Sequence, residues 1–170
     1  ELAEVVLVDN GSAPGEIDAL LADLGDRRIL RLDLPQNPGF AVACNRGARA
    51  CQSPWLLFLN PDCLVEPDTL DRLGRTARQH EQLAVLGALL VDTQGRPDPA
   101  SLRRDPLPGR AIATALGLDR FDAIDGVPIP IPFGQQEPLQ GDAVSGALML
   151  IRRDAFQAAR GFDEGYFMHA

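Results

Sequence analysis

Two aspartates, Asp9 and Asp62, sit where a binding site is expected. Each directly follows a short apolar run, Val5-Val6-Leu7-Val8 in one case and Trp55-Leu56-Leu57-Phe58-Leu59 in the other. In an open parallel sheet, ligands bind beyond the carboxyl ends of the strands. Carboxylates at that edge can accept hydrogen bonds from hydroxyls or hold a cation. They are equally good turn-formers and helix caps, and both readings stay open. Other chemistries lack their motifs. There is no GxGxxG after the first run, no GxxxxGK[ST] and no GxSxG, and Ser145-Gly146 does not form such an elbow. Cys44, Cys51 and Cys63 show no CxxC spacing, which indicates neither a disulfide framework nor a zinc site. His80 closes a helical pattern, where a cation favours the dipole, and His169 reads as incidental.

The elements that must position these residues follow from periodicity. Val5–Val8, 28–32 and 55–59 read as buried strands. Ile17, Leu20, Leu21 and Leu24 make one helical stripe; Phe40, Cys44, Gly47, Ala48 and Cys51 make another. Gly47 and the neighbouring alanines would let that second helix approach a sheet closely. Asn37-Pro38 reads as an N-cap with proline at N1. Pro67 opens a helix with Leu70, Leu73 and Ala77 facing inward, and 83–91 contains a fourth strand. The alternation implies an α/β fold with a parallel sheet and right-handed crossovers.

Composition bounds the rest. The 170 residues fit one domain, 45% hydrophobic, with a formal charge of −8. That balance argues against nucleic acid or an anionic membrane as a partner. No apolar run approaches the roughly 18 residues of a membrane span. The acidic start lacks a secretory n-region, and a reducing cytoplasm is the default for the free thiols. Residues 92–142 hold eight of the fourteen prolines and read as an insertion within the domain, carrying a short helix near 110–118. A strand is expected over 144–151. Asp154 with Gln157 then resembles a capping box for a helix ending at Gly161.

Five blocks in order carry a resemblance that spacing alone does not supply. They are Val-Val-Leu-Val-Asp9-Asn10-Gly11-Ser12; Asn37-Pro38-Gly39-Phe40-Ala41 with Asn45-Arg46-Gly47; Phe58-Leu59-Asn60-Pro61-Asp62; Ser145-Gly146-Ala147 through Arg152-Arg153-Asp154-Ala155-Phe156; and Gly161-Phe162-Asp163-Glu164 with Tyr166-Phe167-Met168. Together they resemble the family-2 glycosyltransferases, and within them the bacterial rhamnosyltransferase-like branch. The stretch Ser101-Leu102-Arg103-Arg104 with Pro106 resembles that branch as well.

The resemblance implies a GT-A fold and inverting transfer of a sugar from a nucleotide-diphosphate donor, such as a dTDP- or UDP-sugar, to an acceptor hydroxyl in cell-surface polysaccharide synthesis. By position, Asp9 is expected at the base or ribose. Asn10, Ser12, Asn37, Gly39, Asn45, Asn60, Ser145 and Gly146 join it around the donor. Asp62 matches the last aspartate of the DxD-type motif and is expected to ligate Mg²⁺ or Mn²⁺ on the diphosphate. Asn60 replaces the first carboxylate of that motif. Cys44 stands where many members have arginine, so Arg103 or Arg104 is a candidate phosphate contact.

In the family the general base is a Glu-Asp pair that follows the aromatic run, which in this numbering lies beyond Ala170. A further strand and helix precede the strand at Val5. The chain therefore reads as an internal piece of a longer enzyme, expected to be inactive alone, with Asp163 and Glu164 as substitute bases. The acceptor is expected to be a glycan or lipid-linked glycan, which would place the whole enzyme in the cytoplasm or at the inner membrane face. The rival reading is a non-catalytic nucleotide-sugar-binding or assembly module of the same fold, with a nucleotidyltransferase third.

Overall fold

A computed structural model describes residues 4–24, 29–121, 124–132, 134–135 and 137–167. Its elements follow the expected alternation: β1 (Val5–Asp9), α1 (Glu16–Leu24), β2 (Ile29–Asp33), α2 (Phe40–Ala50), β3 (Trp55–Leu59), α3 (Thr69–Gln79), β4 (Val85–Gly87), β5 (Leu102–Arg103), α4 (Pro108–Ala115), β6 (Ala143–Val144), β7 (Leu148–Arg152) and α5 (Arg153–Ala158). The chain divides into two compact units, residues 1–56 with 151–170, and residues 57–150.

In the first unit β1 and β2 pair in parallel, in register from Val5 opposite Ile29 to Asp9 opposite Asp33. Parallel neighbours need a crossover, which α1 supplies. The apolar runs were expected to be covered on both faces, yet every β1 residue is only half-buried. Helix α2 turns Ala41, Ala43, Asn45, Gly47 and Ala48 inward. Gly47 permits the close approach anticipated for it, since a Cβ there would lie 2.9 Å from Val8 Cγ2. Asn37 is not the helix cap. The helix starts three residues later, with Gly39 as N-cap at φ 101° and ψ 167°. Asn37 Oδ1 instead accepts the Gly39 N–H at 3.0 Å, closing an Asx turn around Pro38.

In the second unit Leu73, Ala77, Leu102, Ala113, Leu148 and Met149 are buried. Leu70 was expected inside but is 42% exposed. Helix α3 begins at Thr69 rather than at Pro67, which leaves Leu70 in its exposed first turn while Leu73 and Ala77 further along the same face are buried. Strands β3, β7 and β4 form a three-stranded sheet in that order. The strand expected over 144–151 is interrupted: β6 pairs antiparallel with β5, and β7 resumes at Leu148.

Asp154 does not complete a capping box. It lies inside α5, one residue past the start, and its Oδ1 accepts the Arg152 Nε–H at 2.5 Å and the Ala155 N–H at 2.7 Å. The helix expected to end at Gly161 ends earlier, at Ala158; Arg160 at φ 66° and Gly161 at φ 79° follow, with the Gly161 N–H on Phe156 O at 2.9 Å.

Candidate functional site

At the end of β1 the chain turns through Asp9-Asn10-Gly11-Ser12. Asp9 Oδ1 accepts the Ser12 N–H at 2.8 Å and the Gly11 N–H at 3.2 Å. Its other oxygen faces the Arg31 guanidinium at 3.6 Å. The Ser12 amide and hydroxyl, then Gly11 and Arg31, hold the Asp9 carboxyl below the usual carboxylate range. Arg31 also pairs with Asp33 at 2.5 Å and with Asp18, so one guanidinium organises three carboxylates along β1, β2 and α1. Sequence reasoning missed this arginine. Its signal was a lone charge inside the apolar run Ile29-Leu30-Arg31-Leu32.

Asn10 and Asn37 lie side by side. Asn10 Nδ2 donates to Asn37 Oδ1 at 2.8 Å. Because Asn37 Oδ1 already faces the Gly39 N–H, the amide orientation of Asn10 is fixed, and its Oδ1 is left buried without a donor. Such an acceptor costs about 1–3 kcal/mol until something donates to it. Gly39 packs against the chain's far end: the Phe40 N–H donates to Phe167 O at 2.8 Å.

Asn45 lies elsewhere on α2 and is 4% exposed. Both hydrogens of its amide are committed, to Phe162 O and to Glu164 Oε1, each at 2.9 Å. Its Oδ1 accepts the Phe162 N–H at 2.9 Å. Both of its N–H groups are thus engaged within the fold. Glu164 also pairs with Arg49 at 3.2 Å. The Asn45 hydrogen bond first, then Arg49 and the charge of Arg46, hold Glu164 below the usual range. Asp163 Oδ1 caps a local turn by accepting the Gly165 N–H at 2.9 Å. A carboxylate kept ionised by such partners is a poor proton acceptor, which weakens Glu164 as a substitute base. Phe162 packs as anticipated, 5.4 Å from Phe156 and 6.1 Å from Phe40 between centroids. His169 lies outside the described residues.

The second unit carries the other expected residues. At the end of β3, Asn60 N–H donates to Ala147 O at 2.9 Å and Asn60 O accepts from Cys63 N–H at 3.2 Å. Both backbone groups are thus occupied while its side chain stays available. Asp62 is exposed, and its carboxylate makes one loose contact, from the Cys63 thiol at 3.9 Å. Ser145 Oγ accepts the Ala147 N–H at 3.3 Å, so Ser145, Gly146 and the Asn60 turn meet through Ala147. Arg104 is engaged within the insertion: its Nη1 donates to Pro128 O at 3.1 Å and Gly126 O at 3.4 Å, and its Nη2 pairs with Asp125 at 3.2 Å. Arg103 is exposed on β5.

Among the described residues there is no cluster of three or more metal-ligating side chains. Asn60 and Asp62 nevertheless offer two oxygen donors two residues apart, one on an exposed carboxylate. That set does not suit an all-protein cage. It suits a hard divalent cation that keeps waters and shares a substrate's phosphate oxygens.

Residues 1–158 match the description "Glycosyl transferase family 2". The chain belongs to glycosyl transferase family 2. Among family relatives, the O-antigen biosynthesis protein RfbC of Myxococcus xanthus is 30% identical over 165 residues, 96% of this chain and 12% of that protein. The N-acetylglucosaminyl-diphospho-decaprenol L-rhamnosyltransferase of Mycobacterium tuberculosis is 29% identical over 97% of this chain and 57% of its own length. The succinoglycan biosynthesis protein ExoO of Rhizobium meliloti is 36% identical over 94 residues, 55% of this chain and 27% of that protein. The chain thus spans only part of the length of each. No helix among the described residues is long and apolar enough to cross a membrane.

Proposed function

We propose that this chain carries the donor-binding part of an inverting glycosyltransferase. It would transfer a sugar, rhamnose by analogy with the mycobacterial relative, from a nucleotide-diphosphate donor to a glycan or lipid-linked glycan acceptor in polysaccharide synthesis. The observation that carries this reading is the family match over residues 1–158, which spans both strand-end aspartates. The oriented Asp9 carboxylate and the unsatisfied Asn10 Oδ1 support a nucleoside at the β1 turn, since ribose hydroxyls and a base N–H are donors for both.

Asp62, with the Asn60 side chain, would hold Mg²⁺ or Mn²⁺. When bound, the cation supplies Lewis-acid stabilisation of the departing diphosphate's negative charge. The backbone bonds of Asn60 tie that turn to Ala147 and Cys63. In the proline-rich insertion, a cavity of about 420 Å³ lined by Pro97, Phe121, Ile124, Pro128 and Ile129 is a candidate place for acceptor recognition.

Isothermal titration with dTDP and UDP in the presence of Mn²⁺ tests the reading. Binding that Asp62→Ala abolishes or weakens at least tenfold supports it. No heat from any nucleotide, or the same heat from wild type and Asp62→Ala, contradicts it. Nucleotide binding without transfer to any acceptor would favour the assembly-module alternative.

A further inference from the structure

We propose that Asn45 is a positioning residue, which fastens the segment carrying Asp163 and Glu164 to helix α2, and is not a ligand of the donor. The proposal rests on the glycosyltransferase reading for what the segment is positioned to do, but the fastening stands on geometry alone.

Asn45 is polar yet 4% exposed, on the inward face of an otherwise apolar and small-residue helix. A buried amide there is tolerated only when its donors and acceptor are paired. All its partners lie 117 and 119 residues further along the chain. It grips the Phe162 peptide from both sides, through N–H and C=O, in the manner of an extra strand partner. It also fixes the Glu164 carboxylate, which Arg49, one helical turn further along α2, holds from a second direction.

The fit at Gly161 is equally specific. A Cβ there would lie 2.5 Å from Asn45 Oδ1, and φ is 79°. Beyond the latch the segment returns to the start of the same helix, where Phe167 O accepts the Phe40 N–H and lies 2.6 Å from where a Gly39 Cβ would be. Residues 161–167 are therefore held against α2 at two points, with Asp163 between them and exposed. Small errors in such a segment misplace every side chain it presents, which lowers turnover without changing donor affinity.

Asn45→Leu keeps the branched outline of the side chain and deletes all three hydrogen bonds. We expect exchange of the Phe162 amide hydrogen to quicken at least tenfold, with circular dichroism unchanged. We expect the dissociation constants for UDP and dTDP with Mn²⁺ to stay within about twofold. If Asn45→Leu does not fold, Gly161→Ala perturbs the same fit from the opposite side and should give the same pattern. Where transfer is measurable, the variant should lower kcat with KM for donor unchanged. Asn45→Asp combined with Glu164→Gln, which reverses donor and acceptor, should restore part of the loss.

A tenfold or larger weakening of nucleotide binding with Phe162 protection intact would overturn the proposal and return Asn45 to the donor site. If wild type binds no nucleotide, the functional reading fails, while the exchange measurement still decides the latch: unchanged Phe162 exchange in Asn45→Leu rejects it.

Discussion

Replacing Gly39 with alanine should be among the most damaging small changes in the first unit. The residue sits at φ 101°, ψ 167°, a region of backbone space reached almost only by glycine. Holding alanine there costs about 1–3 kcal/mol. The new methyl would also meet the Phe167 backbone oxygen at 2.6 Å and its Cα at 3.1 Å, neither of which is a flexible side-chain end. Relief requires the segment to move away, losing the Phe40 N–H bond to Phe167 O. A lost hydrogen bond of this kind adds about 0.5–1.5 kcal/mol. The two together come to about 1.5–4.5 kcal/mol, roughly 10- to 2,000-fold in the unfolding equilibrium. For a chain of this size that is about 3–18 °C in Tm. Urea and thermal unfolding followed by circular dichroism measure it. Gly109→Ala is the control: it lies in α4 with nothing within 4 Å of an added Cβ, and should be neutral to about 1 kcal/mol stabilising. A Gly39→Ala protein within about 0.5 kcal/mol of wild type would refute the reasoning, because neither the backbone penalty nor the contact with Phe167 could then be real.

Acid should destabilise the first unit through Asp9. Its folded-state pKa lies below the ordinary value, so its contribution is present above pH about 4 and is lost as pH falls through the folded pKa. Asp9→Asn should flatten the dependence of the urea midpoint below about pH 4.5, and an unchanged slope would contradict this. Burial pushes the Cys44 thiol up to about 12, so it should resist iodoacetamide at pH 8 in the native state and react only after unfolding. The Cys63 thiol is raised by burial and then by the Asp62 charge. Adding Mg²⁺ with UDP should therefore speed Cys63 alkylation, by cancelling that charge; slowing or no change would count against a cation at Asp62. Arg104→Ala should cost about 1–2 kcal/mol of stability, through its carbonyl bonds in the insertion, with nucleotide affinity unmoved. Loss of nucleotide affinity would instead revive its role as a phosphate contact.

The strands were legible because their signal is local. Ile29–Asp33 and Trp55–Leu59 appear within a residue of where their apolar runs place them. Helix starts were less so. Asn37-Pro38 carries the composition of a cap, but whether Asn37 caps a helix or closes a turn depends on the dihedral angles of Gly39, which composition does not encode. The same limit applies to Asp154, whose carboxylate went to its neighbour Arg152. At the candidate site, Asp9 and Asp62 could be found because they terminate strands. The partners of Asn45 could not, because they are more than a hundred residues away and nothing local announces them. The available hint was an amide side chain between the small residues of α2. Arg31 gave a similar hint, a charge in a strand interior, and its three carboxylates only converge once α1 has crossed between β1 and β2.

The proposed cation site, on the Asn60–Asp62 turn at the end of β3, would serve a nucleotide diphosphate. Anomalous diffraction from crystals grown with Mn²⁺ and UDP or dTDP tests it most directly. A manganese peak at ligand distance from an Asp62 carboxylate oxygen, in crystals that also hold the nucleotide, is the predicted result. Nucleotide bound with no manganese at Asp62, or manganese held by other residues, would contradict it.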